Sequence, residues 1–136
     1  MELKDKIIVV TGAAGGIGKA MALRFAKEGA KSIICADIDA EGAAKTASEV
    51  NGISFAMDAA KEVDIANVIE STEEKTGPID LFCSNAGISI GGGVEVPNEG
   101  WQKIWDVNLM SHVWAARHLI PRMSKRGGGY LLNTAS

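Results

Sequence analysis

The sequence has few cysteines and no cluster of metal-binding side chains. Its 136 residues include two cysteines, Cys35 and Cys83, and both fall inside apolar runs. Two cysteines are too few for a disulfide-rich secreted scaffold, and the two histidines, His112 and His118, do not complete a zinc site with them. We therefore expect two buried free thiols and no metal.

The sequence also lacks a strong charge of one sign and a long hydrophobic run. Its net charge is −3 and its basic residues are scattered, which gives no reason to expect a nucleic-acid partner. No apolar run approaches the ~18 residues that a membrane span needs. The start, "MELKDK", has no signal-peptide pattern. We expect a cytoplasmic protein with no membrane or nucleic-acid partner.

The chain does contain a regular alternation of apolar strands and amphipathic helices. Its composition, 46% hydrophobic and 23% charged, is that of a globular protein. The predicted strands are "KIIVVTG", "SIICAD", "GISFAMD", "IDLFCSNAG" and "GYLLNTAS", and the predicted helices cover 16–29, 39–50, 61–76 and 98–125. Repeated βαβ units predict an α/β, doubly wound parallel sheet of strand order 3-2-1-4-5 in one domain, 1–136. The ligand crevice of such a sheet lies where the order reverses, here between strands 1 and 4.

A glycine-rich turn, "TGAAGGIG" at 11–18, follows the first strand. Gly12 permits a tight turn, Gly16 lets the backbone approach a phosphate, and Gly18 lets the next helix pack closely. The helix N-terminus would then offer N–H groups to a pyrophosphate. A plain strand-to-helix turn is the alternative, and the position between strand and helix favours the binding site.

Asp37 ends the second strand, 19 residues beyond Gly18. An acid at this spacing binds the ribose hydroxyls in NAD sites and repels a 2′-phosphate. Asp39 is a competing candidate, but it is better placed to cap the next helix. Gly15 provides no basic side chain for a 2′-phosphate. Together these features favour NAD over NADP.

Polar residues stand at four further places in the predicted crevice or near it. Asp58 follows the third strand and could accept a hydrogen bond from an adenine amino group, or it could be an N-cap or a solvated loop acid. Asn85 follows the fourth strand and could brace its neighbours. Asn108 lies among apolar helical residues and is either structural or part of a polar site. Ser136 ends the fifth strand at the same edge.

These motifs together resemble the N-terminal part of a short-chain dehydrogenase/reductase, over essentially all 136 residues. "TGAAGGIG" fits TGxxxGxG, "SNAG" fits NNAG with Ser84 replacing the first Asn, "VNLM" fits the helix asparagine, and "LLNTAS" fits the strand of the catalytic serine. The four motifs occur in order and at matching spacings. That combination is far more specific than any one of them.

The resemblance implies a role for each matching residue. Hydride would pass between NAD(H) and a secondary alcohol or ketone. Ser136 would hydrogen-bond the reacting oxygen and Asn108 would support a proton-relay water. The residues expected to contact the cofactor are Gly12, Gly16, Ile17 and Gly18 at the pyrophosphate, Asp37 at the adenosine ribose, Asp58 at the adenine, and Asn85, Ala86 and Gly87 near the nicotinamide ribose.

One part of the family pattern is not present in these 136 residues. The family's acid/base is a tyrosine in a Tyr-x-x-x-Lys motif beyond the serine, whereas Tyr130, the one tyrosine, precedes Ser136 and has Thr134 four places on. We therefore expect this chain to be the N-terminal portion of a longer enzyme and to be inactive alone. The alternative is a non-catalytic dinucleotide-binding module or pseudoenzyme.

Three tryptophans in or next to the long predicted helix point to contacts between subunits. Trp101, Trp105 and Trp114 are more typical of packing or a subunit interface than of a cofactor site. In the resembling family this helix forms much of the interface. We expect a homo-oligomer, a dimer or tetramer, when the protein is full length.

Overall fold

A computed structural model describes residues 1–135, and Ser136 lies outside the described residues. Five parallel strands form one sheet in the order β3-β2-β1-β4-β5, which confirms the predicted order. Their bounds are β1 Ile7–Thr11, β2 Ser32–Asp37, β3 Ile53–Ala56, β4 Leu81–Ser84 and β5 Tyr130–Asn133. The strands are shorter than several of the predicted runs, so Asp58, Asn85 and Thr134 lie beyond the strands, at the carboxyl edge of the sheet.

The helices cover the two faces of the sheet. Their bounds are α1 Gly16–Lys27, α2 Ala40–Glu49, α3 Glu62–Thr76, α4 Asn98–Trp105 and α5 Ser111–Lys125. Side chains of β1 alternate between the faces, as the pleat requires. Val9 belongs to the core cluster that includes residues of α3 and α5, and Val10 belongs to the cluster that includes residues of α1 and α2.

All five residues of β1 are buried because the strand lies in the middle of the sheet. Val10 is in register with Cys35 of β2 on one side and with Cys83 of β4 on the other. The two thiols are thus two strand spacings apart, about 9–10 Å, which is too far for a disulfide. Both cysteines are buried and free, as predicted.

The long helix predicted over 98–125 is interrupted. A π-helical segment, Asp106–Met110, separates α4 from α5 and contains Asn108. The hydrophobic pattern did not reveal the interruption because a π turn inserts a single residue into an otherwise helical periodicity. Such insertions are frequent at functional sites.

The described sheet ends at β5, which pairs with β4 alone. Tyr130 and Leu132 of this strand are exposed within the described residues. No helix within residues 1–135 has the length and apolar content to cross a membrane.

Candidate functional site

The glycine turn after β1 forms one side of a crevice at the carboxyl edge of the sheet. Gly12 has a φ of 68° and Gly16 a φ of 51°. Residues other than glycine rarely adopt this left-handed backbone conformation. A Cβ on Gly18 would overlap the carbonyl oxygen of Gly12, so only glycine lets α1 start this close to the turn. The structure thus agrees with the roles predicted for Gly12 and Gly18 in the backbone.

The N-terminus of α1 is open. Gly15 precedes it without a side-chain cap, and its first turn contains no acidic residue. A Cβ on Gly15 or Gly16 would meet no atom within 4 Å, and Ile17 is exposed. By contrast, α2 is capped by Asp39 and has Glu41 in its first turn. An uncapped, acid-free helix start presents unpaired N–H groups and positive dipole to an anion.

Asp37 lies across the turn from this helix start. Its Oδ2 accepts a hydrogen bond of 3.0 Å from Ala14 N–H, and its Oδ1 accepts one of 3.0 Å from Asp39 N–H. Each carboxylate oxygen keeps acceptor capacity for a further partner. Asp39 instead accepts from Gly42 N–H at 3.0 Å, so it is the helix cap that the sequence predicted.

Asp58 contacts residues of its own loop and also lines the crevice. Its Oδ1 accepts from Ala60 N–H at 3.0 Å, and its Oδ2 lies 3.6 Å from Lys61 Nζ. The N-cap position of α3 is occupied by Lys61 rather than by Asp58. Both remaining interpretations, adenine acceptor and loop acid, are therefore compatible with its position.

Asn85 joins the three strands β1, β4 and β5. Its Nδ2 donates to the carbonyl of Thr11 at 3.2 Å, and its Oδ1 accepts from the hydroxyl of Thr134 at 3.0 Å. The Thr11 hydroxyl accepts in turn from the N–H groups of Asn85 and Ala86, at 2.9 and 3.0 Å. This is the bracing predicted for Asn85, with its partners now identified.

Asn108 binds the loop that follows Asn85. Its Oδ1 accepts from Ile88 N–H and its Nδ2 donates to Ile88 C=O, both at 2.8 Å. The amide thus satisfies a backbone N–H and C=O that no strand reaches. As far as residues 1–135 show, its side chain has a structural role.

The loop 86–88 separates two clefts. The first, about 250 Å³, is lined by Asp37, Asp58 and Gly12 and by apolar groups that include Ile38 and Val107. The second, about 550 Å³, lies on the other side of the loop, with Asn85, Asn108, His112, Thr134 and Ala135 in its lining. Thus 9 of the 11 predicted site residues can be placed at or beside one crevice, namely Gly12, Gly16, Gly18, Asp37, Asp58, Asn85, Ala86, Gly87 and Asn108.

Two predicted site residues stand apart from that group. Ile17 is 63% exposed at the start of α1 and lines neither cleft. Ser136 lies outside the described residues, although the preceding Thr134 and Ala135 line the second cleft.

Sequence reasoning missed three residues of the clefts, Thr134, Lys103 and His112, and also Thr11, whose hydroxyl holds the loop between the clefts. A buried threonine at the end of a central strand was a usable signal for Thr11, which is 4% exposed. Thr134 belongs to "LLNTAS", but its contact with Asn85 depends on the packing of distant segments. Lys103 gave no signal, and the direction of His112 depends on the π-helical segment that precedes it.

His112 and the cysteines show opposite effects of burial. Loss of solvent lowers the pKa of His112, so its imidazole is neutral at neutral pH. Burial raises the pKa of the Cys35 thiol to about 11 and that of Cys83 to about 12. Neither cysteine has thiolate character that would support catalysis.

A further cavity, of about 760 Å³, lies away from both clefts. Met1, Lys6, Asp80 and Tyr130 are in its lining. Tyr130 begins β5, at the amino edge of the sheet and away from both clefts. The position of Tyr130 thus agrees with the sequence-based exclusion of this tyrosine from the catalytic role.

The sheet order, the glycine turn and the uncapped helix define the Rossmann-like class of nucleotide-binding proteins. Residues 6–136 match the short chain dehydrogenase family. The chain belongs to this family of oxidoreductases, which confirms the resemblance seen in the motifs.

Known relatives match along nearly all of the chain. It is 37% identical to a "CLA biosynthesis dehydrogenase/reductase" of Lactiplantibacillus plantarum, covering 99% of this chain and 49% of that protein. It is 38% identical to an "NADP-dependent (R)-specific alcohol dehydrogenase" of Lentilactobacillus kefiri, covering 98% and 55%. The chain thus spans about half the length of the curated relatives it matches.

Two solved structures have the same fold. A 7 alpha-hydroxysteroid dehydrogenase complexed with NADH and 7-oxo glycochenodeoxycholic acid superposes with a TM-score of 0.93 at 27% identity, over 99% of this chain and 55% of that one. A 3-ketoacyl-(acyl-carrier-protein) reductase from Brucella melitensis, complexed with NADH, gives 0.90 at 34% identity, over 98% and 58%.

Proposed function

We propose that the chain binds a nicotinamide dinucleotide, NAD in preference to NADP, and serves hydride transfer between this cofactor and a secondary alcohol or ketone. The observation that carries the proposal is the uncapped, acid-free start of α1 opposite the carboxylate of Asp37. Two structural neighbours are described as complexes with NADH, which supports the cofactor class.

The residues at the glycine turn fit a pyrophosphate. A Cβ on Gly15 or Gly16 would meet no other part of the chain within 4 Å, and the first N–H groups of a helix without a side-chain cap are free to bind an anion. Gly12, Gly16, Ile17 and Gly18 would hold the phosphates through the backbone. Any larger residue at Gly18 would displace the turn.

Asp37 supports the preference for NAD. Its two oxygens already bind backbone N–H groups, which fixes the carboxylate in place while leaving acceptor capacity for ribose hydroxyls. A 2′-phosphate would meet this negative charge, and Gly15 provides no cation to offset it. Family membership does not decide between NAD and NADP, since one relative is named NADP-dependent.

The two clefts would take the two halves of the cofactor. Ile38 and Val107 offer apolar contacts to an adenine in the first cleft, with Asp58 as an acceptor for its amino group. Asn85, Ala86 and Gly87 would adjoin the nicotinamide ribose. Because Asn85 is bonded to Thr11 and Thr134, this wall is fixed before a ligand arrives.

The second cleft is the proposed place of reaction. A bound nicotinamide would supply or accept the hydride there. Ser136 would hydrogen-bond the reacting oxygen of the substrate, and Asn108 would support a water that relays the proton. No Tyr-x-x-x-Lys motif occurs in the 136 residues, so we expect no dehydrogenase turnover from this chain alone.

The second candidate function is a non-catalytic dinucleotide-binding module. It needs the dinucleotide site but no acid/base residue. Calorimetric titration with NADH and NADPH, on protein of confirmed mass, tests the shared claim of both candidates. The absence of NADH binding would contradict both candidate functions. Measurable turnover of secondary alcohols with NAD would exclude the module and contradict the expected inactivity.

We also propose that the protein is a homo-oligomer, a dimer or tetramer, in the cytoplasm. Apolar side chains are exposed along α4, the π-helical segment and α5, at Trp101, Trp105, Leu109, Val113 and Ile120. A patch of this kind marks an interaction surface. Sedimentation analysis of the protein and of Trp105→Glu tests this proposal, and a monomeric unsubstituted protein would contradict it.

A further inference from the structure

The C-terminal end of α2 is closed by a Schellman turn. Asn51, which follows the last residues of the helix, has a φ of 50°, in the left-handed region. Its N–H donates to Ser48 C=O at 3.4 Å, and the N–H of Gly52 donates to Ala47 C=O at 2.8 Å. These two hydrogen bonds define this kind of helix end, in which glycine or asparagine takes the left-handed position.

Gly52 has no room for a side chain. A Cβ at this position would overlap the backbone carbonyl oxygen of Ile33 in β2, which lies in the sheet and cannot move aside. Only glycine therefore fits at this place. Because the left-handed φ of the residue before it favours asparagine over most other side chains, the fold itself selects the pair Asn51-Gly52.

This pair of residues is chemically reactive, because glycine has no side chain to shield the asparagine amide from the next backbone nitrogen. The nitrogen of Gly52 bonds to the side-chain carbonyl carbon of Asn51 and closes a cyclic imide. The C–N bond of the side-chain amide breaks, and ammonia leaves with the proton from Gly52 N–H. Water then opens the imide to aspartate or to isoaspartate. Asn51 is exposed, so water reaches its side chain.

The hydrogen bond of Gly52 opposes the reaction in the folded state. The N–H of Gly52 is held by the carbonyl of Ala47, a buried residue of α2. The nitrogen is free to attack only after this bond has broken. Opening of a helix end costs much less free energy than global unfolding, so the turn opens in a protein that is otherwise folded.

We infer that Asn51 is a deamidation site of the folded protein, and that opening of the last turn of α2 controls the rate of its conversion. The chain and water supply every reactant, so no enzyme is required. The inference does not rest on the proposed function, because neither Asn51 nor Gly52 lines either cleft.

Both products weaken the connection between α2 and β3. An aspartate at position 51 adds a negative charge next to that of Glu49 at the C-terminus of α2, where the helix dipole disfavours anions. Isoaspartate lengthens the backbone between the helix and the strand, which disturbs the pairing of Ile53 with Ile34 of β2. The melting temperature should therefore fall as the protein ages.

Mass spectrometry of the ageing protein tests the inference. Purified protein is stored at mildly alkaline pH, in native buffer and in guanidinium chloride, and peptide mapping locates the small mass gain that marks an amide replaced by an acid. Asn51 should convert in both, about 10- to 100-fold more slowly in native buffer, the factor expected for a turn that opens at low cost. Asn98 is the internal control, because it is also exposed but precedes Glu99, and it should convert far more slowly than Asn51.

A matched pair of variants tests whether the helix end controls the rate. Ser48 is exposed at the end of α2. Asn51 should convert about fivefold faster in Ser48→Gly than in Ser48→Ala in native buffer, the ratio that their helix propensities give, and equally fast in guanidinium chloride. Asn51→Gly keeps the left-handed φ without the amide, so its melting temperature should stay constant during storage.

Three results would overturn the inference. The first is that Asn51 stays intact in native buffer while it converts in guanidinium chloride, or that Asn98 converts as fast as Asn51. The second is an equal rate for Asn51 in Ser48→Gly and Ser48→Ala under native conditions. The third is an equal rate for Asn51 in native buffer and in guanidinium chloride, which would show that the hydrogen bond from Gly52 N–H does not protect the site.

Discussion

The side chain of Asn108 and the backbone of Ile88 exchange two hydrogen bonds of 2.8 Å each. The π-helical segment presents the amide to the loop between the two clefts. The contact therefore holds 86–88 in place much as a neighbouring strand would.

Replacing Asn108 by alanine is expected to destabilise the protein by about 1–3 kcal/mol, because it leaves the N–H and C=O of Ile88 unpaired in a partly buried place. Urea unfolding of both proteins measures the difference. The control is Asn98→Ala at the exposed start of α4, which should change the free energy of unfolding by less than about 0.5 kcal/mol. Equal effects of the two substitutions would refute the structural role of Asn108.

Gly18→Ala should disrupt the turn that receives the cofactor. The new Cβ would overlap Gly12 O, and overpacking against backbone costs about 1–3 kcal/mol. NADH affinity should fall along with stability. Gly91→Ala in the β4–α4 loop is the matched control, because no atom lies within 4 Å of the added carbon and Gly91 lines neither cleft. Calorimetric titration of both variants is the measurement, and equal NADH affinity in the two variants would contradict the assignment.

Asp37→Ser should shift the ratio of NADPH to NADH affinity upward by at least about tenfold, since the charge that opposes a 2′-phosphate is removed. Asp39→Asn is the control. It keeps an N-cap, so it should alter stability by a few tenths of a kcal/mol and leave the cofactor ratio unchanged. A tighter binding of NADPH than of NADH by the unsubstituted protein would show that Asp37 does not have the proposed role.

Glu73 should make the fold sensitive to acid. Burial tends to raise its pKa, but the hydrogen bond from Ile79 N–H, together with Arg122 and Arg126, outweighs this and places the pKa below its ordinary value. The folded state therefore binds this proton less readily than the unfolded chain. Stability from Glu73 is full above about pH 4.5 and is lost as the pH falls through the lowered pKa.

Glu73→Gln tests this acid dependence. It should cost about 2 kcal/mol near neutral pH, the scale of a hydrogen bond to a charged group, and flatten the decline of stability below about pH 4.5. Glu74→Gln, an exposed neighbour on the same helix, serves as the control. An unchanged acid profile in the Glu73 variant would show that other carboxyl groups govern it.

Cys35 and Cys83 should not react with a thiol reagent in the folded protein. Both are fully buried, and burial raises the pKa of Cys35 to about 11 and that of Cys83 to about 12. Labelling should therefore follow unfolding, and both thiols should react together in urea. Rapid modification of either thiol under native conditions would disprove this placement.

Features that depend on neighbours in the chain could be predicted from the sequence. The glycine turn lies between a strand and a helix that adjoin it, so its position and its helix N-terminus followed from "TGAAGGIG". Asp37 followed from the end of an apolar run. Asp39 was expected to be a cap because a capping acid acts on the N–H groups of the next turn.

Features that join distant segments could not be predicted in the same way. Asn85 meets Thr11, 74 residues earlier, and Thr134, 49 residues later. The amide of Asn85 indicates that it can donate and accept hydrogen bonds, but its partners depend on β1, β4 and β5 being adjacent. The roles assigned to Ser136 and to the cofactor contacts remain predictions.

The sequence by itself determined the alternation of strands and helices, the order of the sheet and the edge at which the polar residues gather. These properties arise from local periodicity and from the right-handed crossover of parallel strands. Only the tertiary structure decided that the long helix contains a π-helical segment, that Asn108 binds Ile88, and that His112 reaches the second cleft. The reason is geometric. One residue inserted into a helix rotates every later side chain about the helix axis, and only the packing of the helix shows whether the insertion is tolerated.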